Sequence, residues 1–137
     1  MTTSTQIADD LEAAAELLET ETVQWCQDQL GGYVYGDNHQ LQLTSVCAVG
    51  AIAVVTRGLD QLLTELEDNC DSIYLKKPGT ERFHDVRQAV CDYLITKRGV
   101  QYDDDSVAEA WNDIPGRTRE HVVDLFKSVA KDLHNYS

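Results

Sequence analysis

The first part of the chain lacks basic side chains altogether. No lysine or arginine occurs before Arg57, whereas residues 1–56 carry eight of the 24 carboxylates. The whole chain of 137 residues has a net charge of −13. A field of this sign repels phosphate backbones and anionic lipid, which argues against direct binding to DNA, RNA or a membrane surface. The charge instead favours either a partner protein with a basic surface or a role in solubility alone.

The cysteines lack the spacing of a metal site. Cys26, Cys47, Cys70 and Cys91 form no Cys-x-x-Cys pair, and no histidine stands at zinc-finger spacing. We therefore expect free thiols, no cofactor and no structural metal. The beginning of the sequence also lacks the pattern of a signal peptide, and the longest apolar run, residues 46–55, is too short to span a membrane. The predicted location is a reducing cytoplasm, which is the host cytoplasm if the protein is encoded by a phage.

The composition that is present suits one folded domain. Hydrophobic residues make up 42% and charged residues 26% of the chain, which is ordinary for a globular protein. We predict a single acidic, mainly α domain over residues 1–137. It would be a compact bundle of about five to six helices around a central apolar helix at about residues 45–57. Residues 23–44 are predicted to form either an irregular loop or a short β-hairpin.

Helical periodicity and capping residues set the predicted helix bounds. The helices are expected from about Thr5 to Glu19 with Ser4 or Thr5 as N-cap, from the N-cap Ser45 to Arg57, from Leu59 to Leu66, from the N-cap Thr80 to Lys97, from Ser106 to Trp111, and from Arg119 to Leu133 with Thr118 as N-cap. Residues 76–79 are predicted to be a turn or an exposed loop. The acidic run 103–105 lacks the ligand spacing of a calcium loop and is interpreted as a solvated helix start.

Two segments carry a resemblance. Residues 45–52, Ser-Val-Cys-Ala-Val-Gly-Ala-Ile, and residues 107–118, which contain Asn-Asp-Ile-Pro-Gly-Arg-Thr, resemble a family of uncharacterised small proteins of actinobacteria and their phages. A third, weaker point of similarity is Trp-Cys-Gln at residues 25–27. The motif residues, interpreted mostly as structural, are Cys47, Gly50, Trp111, Asn112, Asp113, Pro115, Gly116, Arg117 and Thr118. The resemblance implies a helical fold and a phage or actinobacterial origin, and it implies no activity.

Cys47 has two interpretations. With Ser45 as N-cap it would be the second residue of its helix, where the helix dipole lowers the pKa of a thiol and could make it a nucleophile. Such a role needs a histidine partner, and His84 and His121 are the candidates. The alternative is a small apolar residue that packs tightly in a helix of alanine and glycine, and this structural interpretation is the favoured one.

The Asn112–Thr118 segment also has two interpretations. Pro115 and Gly116 fit the centre of a type II turn with positive φ at the glycine, and Thr118 can cap the next helix, so the segment makes a tight corner. In the functional interpretation, Asp113 and Arg117 converge with Trp111 on a polar binding site beside Cys47. The structural interpretation is favoured.

The leading functional hypothesis is a non-enzymatic intracellular interaction protein, encoded by a phage, that binds a basic host or phage protein. The aromatic residues near the acidic segment either form an exposed contact or fold back on the core. The predicted partner-binding residues are Asp9, Asp10, Glu12, Glu16, Trp25 and Tyr35. The alternatives are a DNA mimic that inhibits a DNA-binding protein and a small enzyme that uses Cys47. A homodimer is left open.

Overall fold

The computed structural model describes residues 2–20, 22–38, 40–67, 81–101 and 107–135. These ranges contain six helices and a small three-stranded sheet, so the prediction of a mainly α fold is confirmed. The elements, in chain order, are α1 (Ser4–Glu19), β1 (Gln24–Trp25), β2 (Gly31–Tyr35), β3 (Leu41–Val46), α2 (Ala48–Arg57), α3 (Leu59–Glu67), α4 (Glu81–Lys97), α5 (Val107–Asn112) and α6 (Arg119–Asn135). In the described ranges, no helix combines the length and the hydropathy that a membrane span requires.

The first helix begins one residue before the predicted position and has a different cap. The Thr3 hydroxyl accepts a hydrogen bond from the Gln6 amide (3.1 Å), and the Gln6 side chain accepts one from the Thr3 amide (2.9 Å). This reciprocal capping box satisfies two amides that the helix leaves unpaired, so Thr3 is the N-cap rather than Ser4 or Thr5. A buried stripe that includes Leu11 and Leu18 packs α1 along α6.

The sheet resolves residues 23–44 in favour of the hairpin and adds a strand that was not predicted. Strands β2 and β3 pair antiparallel, and the Gly36 amide donates to the Gln40 carbonyl (2.7 Å) across the turn. On the other side of β3, β1 pairs parallel through Gln24 with Ser45 and Trp25 with Val46. The strand order is therefore β1-β3-β2, with β3 in the middle.

The apolar helix α2 starts later than predicted. Ser45 is not its N-cap, because Ser45 and Val46 are held extended by pairing with strands on both sides. The N-cap is Cys47, whose sulfur accepts a hydrogen bond from the Gly50 amide (3.3 Å). Residues 48–53 are all buried, and the helix contacts α1, α3, α4 and α5.

The remaining helices lie close to their predicted positions. α3 begins at Leu59 as predicted, and the apolar stripe of α4 is buried at Phe83, Val86, Val90 and Leu94. In α6 the Thr118 hydroxyl accepts from the His121 amide (3.3 Å), so the predicted cap is present. The predicted cap Thr80, the turn at residues 76–79 and the acidic run at residues 103–105 lie outside the described residues.

Candidate functional site

A buried asparagine joins three distant parts of the chain. The side chain of Asn112, at the end of α5, is fully buried. Its Oδ1 accepts hydrogen bonds from Trp25 Nε1 (2.7 Å) and the Ala48 amide (3.0 Å). Its Nδ2 donates to the Cys26 carbonyl (3.1 Å) and to Asp113 Oδ1 (3.0 Å). The Asn112 side chain thus bonds to four residues, Trp25, Cys26, Ala48 and Asp113. We call these five residues the Asn112 junction.

The amide of Asn112 takes the place of one peptide group in the sheet. The Cys26 amide still donates to the Val46 carbonyl (3.0 Å), as in a parallel ladder. The next bond of such a ladder would run from the Ala48 amide to the Cys26 carbonyl. Both groups bond instead to Asn112, whose side chain carries a donor and an acceptor together. This insertion also satisfies a first-turn amide of α2, which has no partner inside its own helix.

The segment after β1 closes the end of α5. Gln27 Nε2 donates to the carbonyls of Asn112 and Ile114, each at 3.0 Å, and thereby caps carbonyls that the helix end leaves unpaired. The Asp28 amide donates to Asp113 Oδ1 (2.8 Å). Asp28 has a positive φ of 66°, a conformation that aspartate tolerates better than most residues. Gln27 therefore belongs to the junction's surroundings, although its part was not predicted.

The corner after α5 has the predicted geometry. Gly116 has a φ of 88°, and the Arg117 amide donates to the Ile114 carbonyl (3.0 Å) across Pro115 and Gly116. Arg117 lies over the Trp111 ring, 3.8 Å from its centroid, and its Nε donates to the Trp111 carbonyl (3.0 Å). These contacts account for the motif as a corner between α5 and α6.

A small cavity of about 180 Å³ adjoins the junction. It is lined by Asp28, Gln29, Leu30, Cys47, Glu109, Asn112 and Asp113. Asp113 and Cys47 thus line the same cavity, whereas Trp111 and Arg117 do not line it. Glu109 is held by Arg87 through two bonds of 3.1 and 2.7 Å. The cavity wall therefore carries the carboxylates of Asp28, Glu109 and Asp113, and the Glu109 carboxylate is already paired with Arg87.

Cys47 does not have the environment of an activated, catalytic nucleophile. Burial raises the pKa of its thiol to about 12, despite the hydrogen bond from Gly50. The cavity that it faces has no histidine in its lining, and His121 Nδ1 accepts instead from the Thr118 amide (3.1 Å). A thiol with this pKa is protonated at neutral pH. The described surroundings therefore favour the interpretation of Cys47 as a cap and a packing residue.

The raised pKa of Cys47 should make the protein less stable at high pH. The thiol ionises near pH 9.0 in its ordinary state and near 12 in the folded chain, so the folded state holds the proton more tightly. Its contribution to stability is complete below pH 9.0 and is lost as the pH rises toward 12. We expect the free energy of unfolding, measured by urea denaturation across this interval, to fall more steeply for the wild type than for Cys47→Ala. If the free energy of unfolding falls equally steeply with pH in the two proteins, the pKa of Cys47 is not raised in the folded chain.

The acidic face of α1 is partly compensated by basic residues of α4 and α6. Asp10 is buried and forms two bonds with Arg82 of α4, at 2.6 and 2.8 Å. Asp10 thus forms a structural ion pair and is not an exposed residue that could contact a partner. Glu19 pairs with Lys127 of α6 (2.8 Å).

The predicted contact residues Asp9, Glu12 and Glu16 are exposed. Glu12 lies 3.3 Å from His134 of α6. Ligand atoms of Asp9, Glu12 and His134 lie within 4.8 Å of one another, which makes this exposed trio the described group with metal-ligand spacing. Exposed carboxylates of this kind are common without an ion.

The two predicted aromatic contact residues, Trp25 and Tyr35, differ in their exposure. Trp25 is partly buried against the core and bonded to Asn112, so it folds back into the structure. Tyr35 is 57% exposed, and its hydroxyl donates to Glu67 Oε2 of α3 (2.8 Å). This bond raises the pKa of Tyr35 and keeps its hydroxyl protonated. Of these two residues, Tyr35 is the exposed one.

A surface groove of about 540 Å³ runs between the hairpin and α3. Its lining consists of Gln40, Leu41, Asp60, Leu63, Thr64 and Glu67. Tyr35 pairs with Leu41 across the hairpin and bonds to Glu67. We define the Tyr35 patch as Tyr35, Leu41, Asp60 and Glu67. Asp60 and Glu67 were not predicted as site residues, because only the packing of α3 brings Glu67 to Tyr35 and Asp60 to the groove.

The elements of the Asn112 junction and of the Tyr35 patch lie within residues 2–132, the range over which the chain matches a described protein family. The chain belongs to DUF6197, a family of unknown function. No curated protein and no solved structure matches the chain. The family therefore supplies a relationship and no activity.

Proposed function

We propose that the protein is a non-enzymatic interaction protein that binds a basic surface of another protein through the Tyr35 patch. The observation that carries the proposal is Tyr35, an aromatic side chain 57% exposed that bonds to the Glu67 carboxylate, which lines a groove together with Asp60. Tyrosine is among the residues that dominate interface energies. Flanking carboxylates add electrostatic complementarity toward lysine and arginine.

The exposed carboxylates of α1 have a secondary role in this proposal. Asp9, Glu12 and Glu16 add to the negative field of a chain whose net charge is −13. Such a field raises the encounter rate with a basic partner more than it strengthens the final contact. An intracellular location, and an origin in a phage or an actinobacterium as the resemblance implies, belong to the same proposal.

The alternative of a DNA mimic has less support. A mimic needs long rows of carboxylates that stand in for phosphates, and a cation beside a carboxylate cancels that likeness. On α1, Asp10 and Glu19 pair with Arg82 and Lys127, and Glu12 lies beside His134. The Tyr35 patch therefore supports a protein contact better than the carboxylates of α1 support a DNA mimic.

Tyr35→Ala should weaken binding mainly by speeding dissociation. Loss of an interface anchor typically acts on the off-rate, and we expect an increase of about tenfold or more. The partner is first captured from host lysate with the wild-type chain and identified by mass spectrometry, and rate constants are then measured on an immobilised sensor surface. The matched control is Ile95→Ala, an exposed apolar residue on α4.

The same rate constants separate the effect of charge on association from the effect of the aromatic contact on dissociation. Neutralising Asp9, Glu12 and Glu16 together should slow association, and added salt should remove that difference because it screens exposed charges. Asp10 is not changed because it forms a buried ion pair with Arg82. If Tyr35→Ala and Ile95→Ala bind like the wild type, the Tyr35 patch is not the contact.

A further inference from the structure

Two cysteines come together at the end of the parallel strand pair. Strand β1 pairs Gln24 with Ser45 and Trp25 with Val46, so the next residues in register are Cys26 and Cys47. The Cys26 amide donates to the Val46 carbonyl (3.0 Å), which keeps the two chains adjacent at this position. The regular spacing of neighbouring strands is about 4.8 Å. The Asn112 amide enters only at the next bond, between the Cys26 carbonyl and the Ala48 amide, so Cys26 and Cys47 stand at the last position before the two chains separate. A disulfide spans Cα separations of about 4.4–6.8 Å, a range that includes the regular spacing and extends about 2 Å above it.

The two side chains also lie on the same face of the sheet. Side chains alternate along a strand, so Cys26 shares the face of Gln24 and Cys47 shares the face of Ser45. Two electrostatic effects agree with this placement. The Cys26 thiol contributes to the raised pKa of Cys47, and a hydrogen bond with Ser45 partly offsets the rise in the pKa of Cys26 that burial causes. Cys26 and Cys47 are both free thiols.

The pair differs in access. Cys26 is only partly buried, and its sulfur lies 3.7 Å from the Gln29 carbonyl in the segment that follows β1. Cys47 is buried. An oxidant therefore reaches Cys26 first, whereas Cys47 is reached through Cys26.

We propose that Cys26 and Cys47 form a thiol pair that a low-molecular-weight disulfide oxidises to an intramolecular disulfide. The Cys26 thiolate attacks one sulfur of the reagent, a mixed disulfide forms, and the first reagent thiolate leaves. The Cys47 thiol then loses its proton to solvent and attacks the Cys26 sulfur, and the second reagent thiolate leaves. The protein loses two electrons and two protons, and the reagent disulfide is reduced to two thiols.

The bond would fasten β1 to the first turn of α2, next to the Asn112 junction. It closes the loop of residues 26–47, and a closed loop lowers the entropy of the unfolded chain. Because burial raises the pKa of both thiols, the reaction accelerates as the pH is raised above neutrality.

The test uses the full chain, treated with oxidised glutathione at mildly alkaline pH and compared with the reduced chain. Free thiols are alkylated after denaturation, and the protein is digested and mapped by mass spectrometry. We expect a cross-linked peptide pair containing Cys26 and Cys47, and a rise in the melting temperature of about 5 °C that a reductant reverses. Cys70→Ser, a change outside the described residues, should behave like the wild type, and Cys26→Ser should show neither effect.

Three results would overturn the proposal. One is a cross-link that joins Cys26 to Cys70 or Cys91. Another is glutathione that stays on Cys26 as the final product. The third is full alkylation of both thiols after oxidation. Peptide mapping of the wild type decides among these results even if a serine variant folds poorly.

Discussion

Replacing Asn112 with alanine is expected to lower the free energy of unfolding by about 3–5 kcal/mol, the largest loss for a polar residue of the described chain. The change leaves Trp25 Nε1, the Ala48 amide and the Cys26 carbonyl without their partner at a fully buried position. Each unpaired buried group costs about 1–3 kcal/mol. Urea denaturation followed by circular dichroism measures the loss.

The control for Asn112 is Asn38→Ala, an exposed asparagine in the turn of the hairpin, which should stay within about 0.5 kcal/mol of the wild type. Asn112→Asp is the sharper companion variant. It keeps the shape but replaces the donor toward the Cys26 carbonyl with a second acceptor. A stable Asn112→Asp protein would show that the donor half of the amide does not matter.

Gly50→Ala is expected to destabilise the protein by on the order of 3 kcal/mol or more, although alanine is the better helix former. A Cβ at Gly50 would overlap the Leu30 carbonyl oxygen and lie 3.2 Å from the Val46 Cβ. The Leu30 carbonyl also accepts from the Cys47 amide (3.0 Å), so it is fixed from the other side. The chain must shift to make room, and the unfolding midpoint in urea reports the cost.

Gly116→Ala is the informative comparison for Gly50. Gly116 has nothing within 4 Å of an added Cβ, and only its φ of 88° opposes a side chain. The expected loss is therefore about 1 kcal/mol. If Gly116→Ala costs as much as Gly50→Ala, the close approach of Leu30 is not the reason for glycine at position 50.

The sequence indicated most of the helices, because their stripes and caps are local signals. The start of α2 was wrong for a physical reason: a serine before an apolar run resembles an N-cap, and only pairing with β1 and β2 shows that Ser45 is extended. Strand β1 has two residues, too few to show alternation. The burial of Asp10 was readable, since it lies three residues after Ile7 and four before Ala14, on the face that the apolar stripe buries.

The candidate sites were less predictable than the fold. Asn112 was expected to act within its own corner, yet its side chain bonds to residues 64 to 87 positions away in sequence. No local pattern reports such a bond. The signal nearest to it was the joint similarity of three separate segments, around Trp25, Cys47 and Asn112, which meet in the structure.

The packing of α1 along α6 has a consequence for synthesis on the ribosome. The apolar stripe of α1, with Leu11 and Leu18 at its centre, emerges before its main cover, which emerges only with residues 119–135. The asparagine that completes the sheet also arrives late in the chain. Contacts this distant in sequence cannot form until residues 119–135 have been synthesised, so the nascent chain exposes the apolar stripe of α1 up to that point. A chaperone that shields the nascent α1 during this interval would therefore raise the yield of native protein.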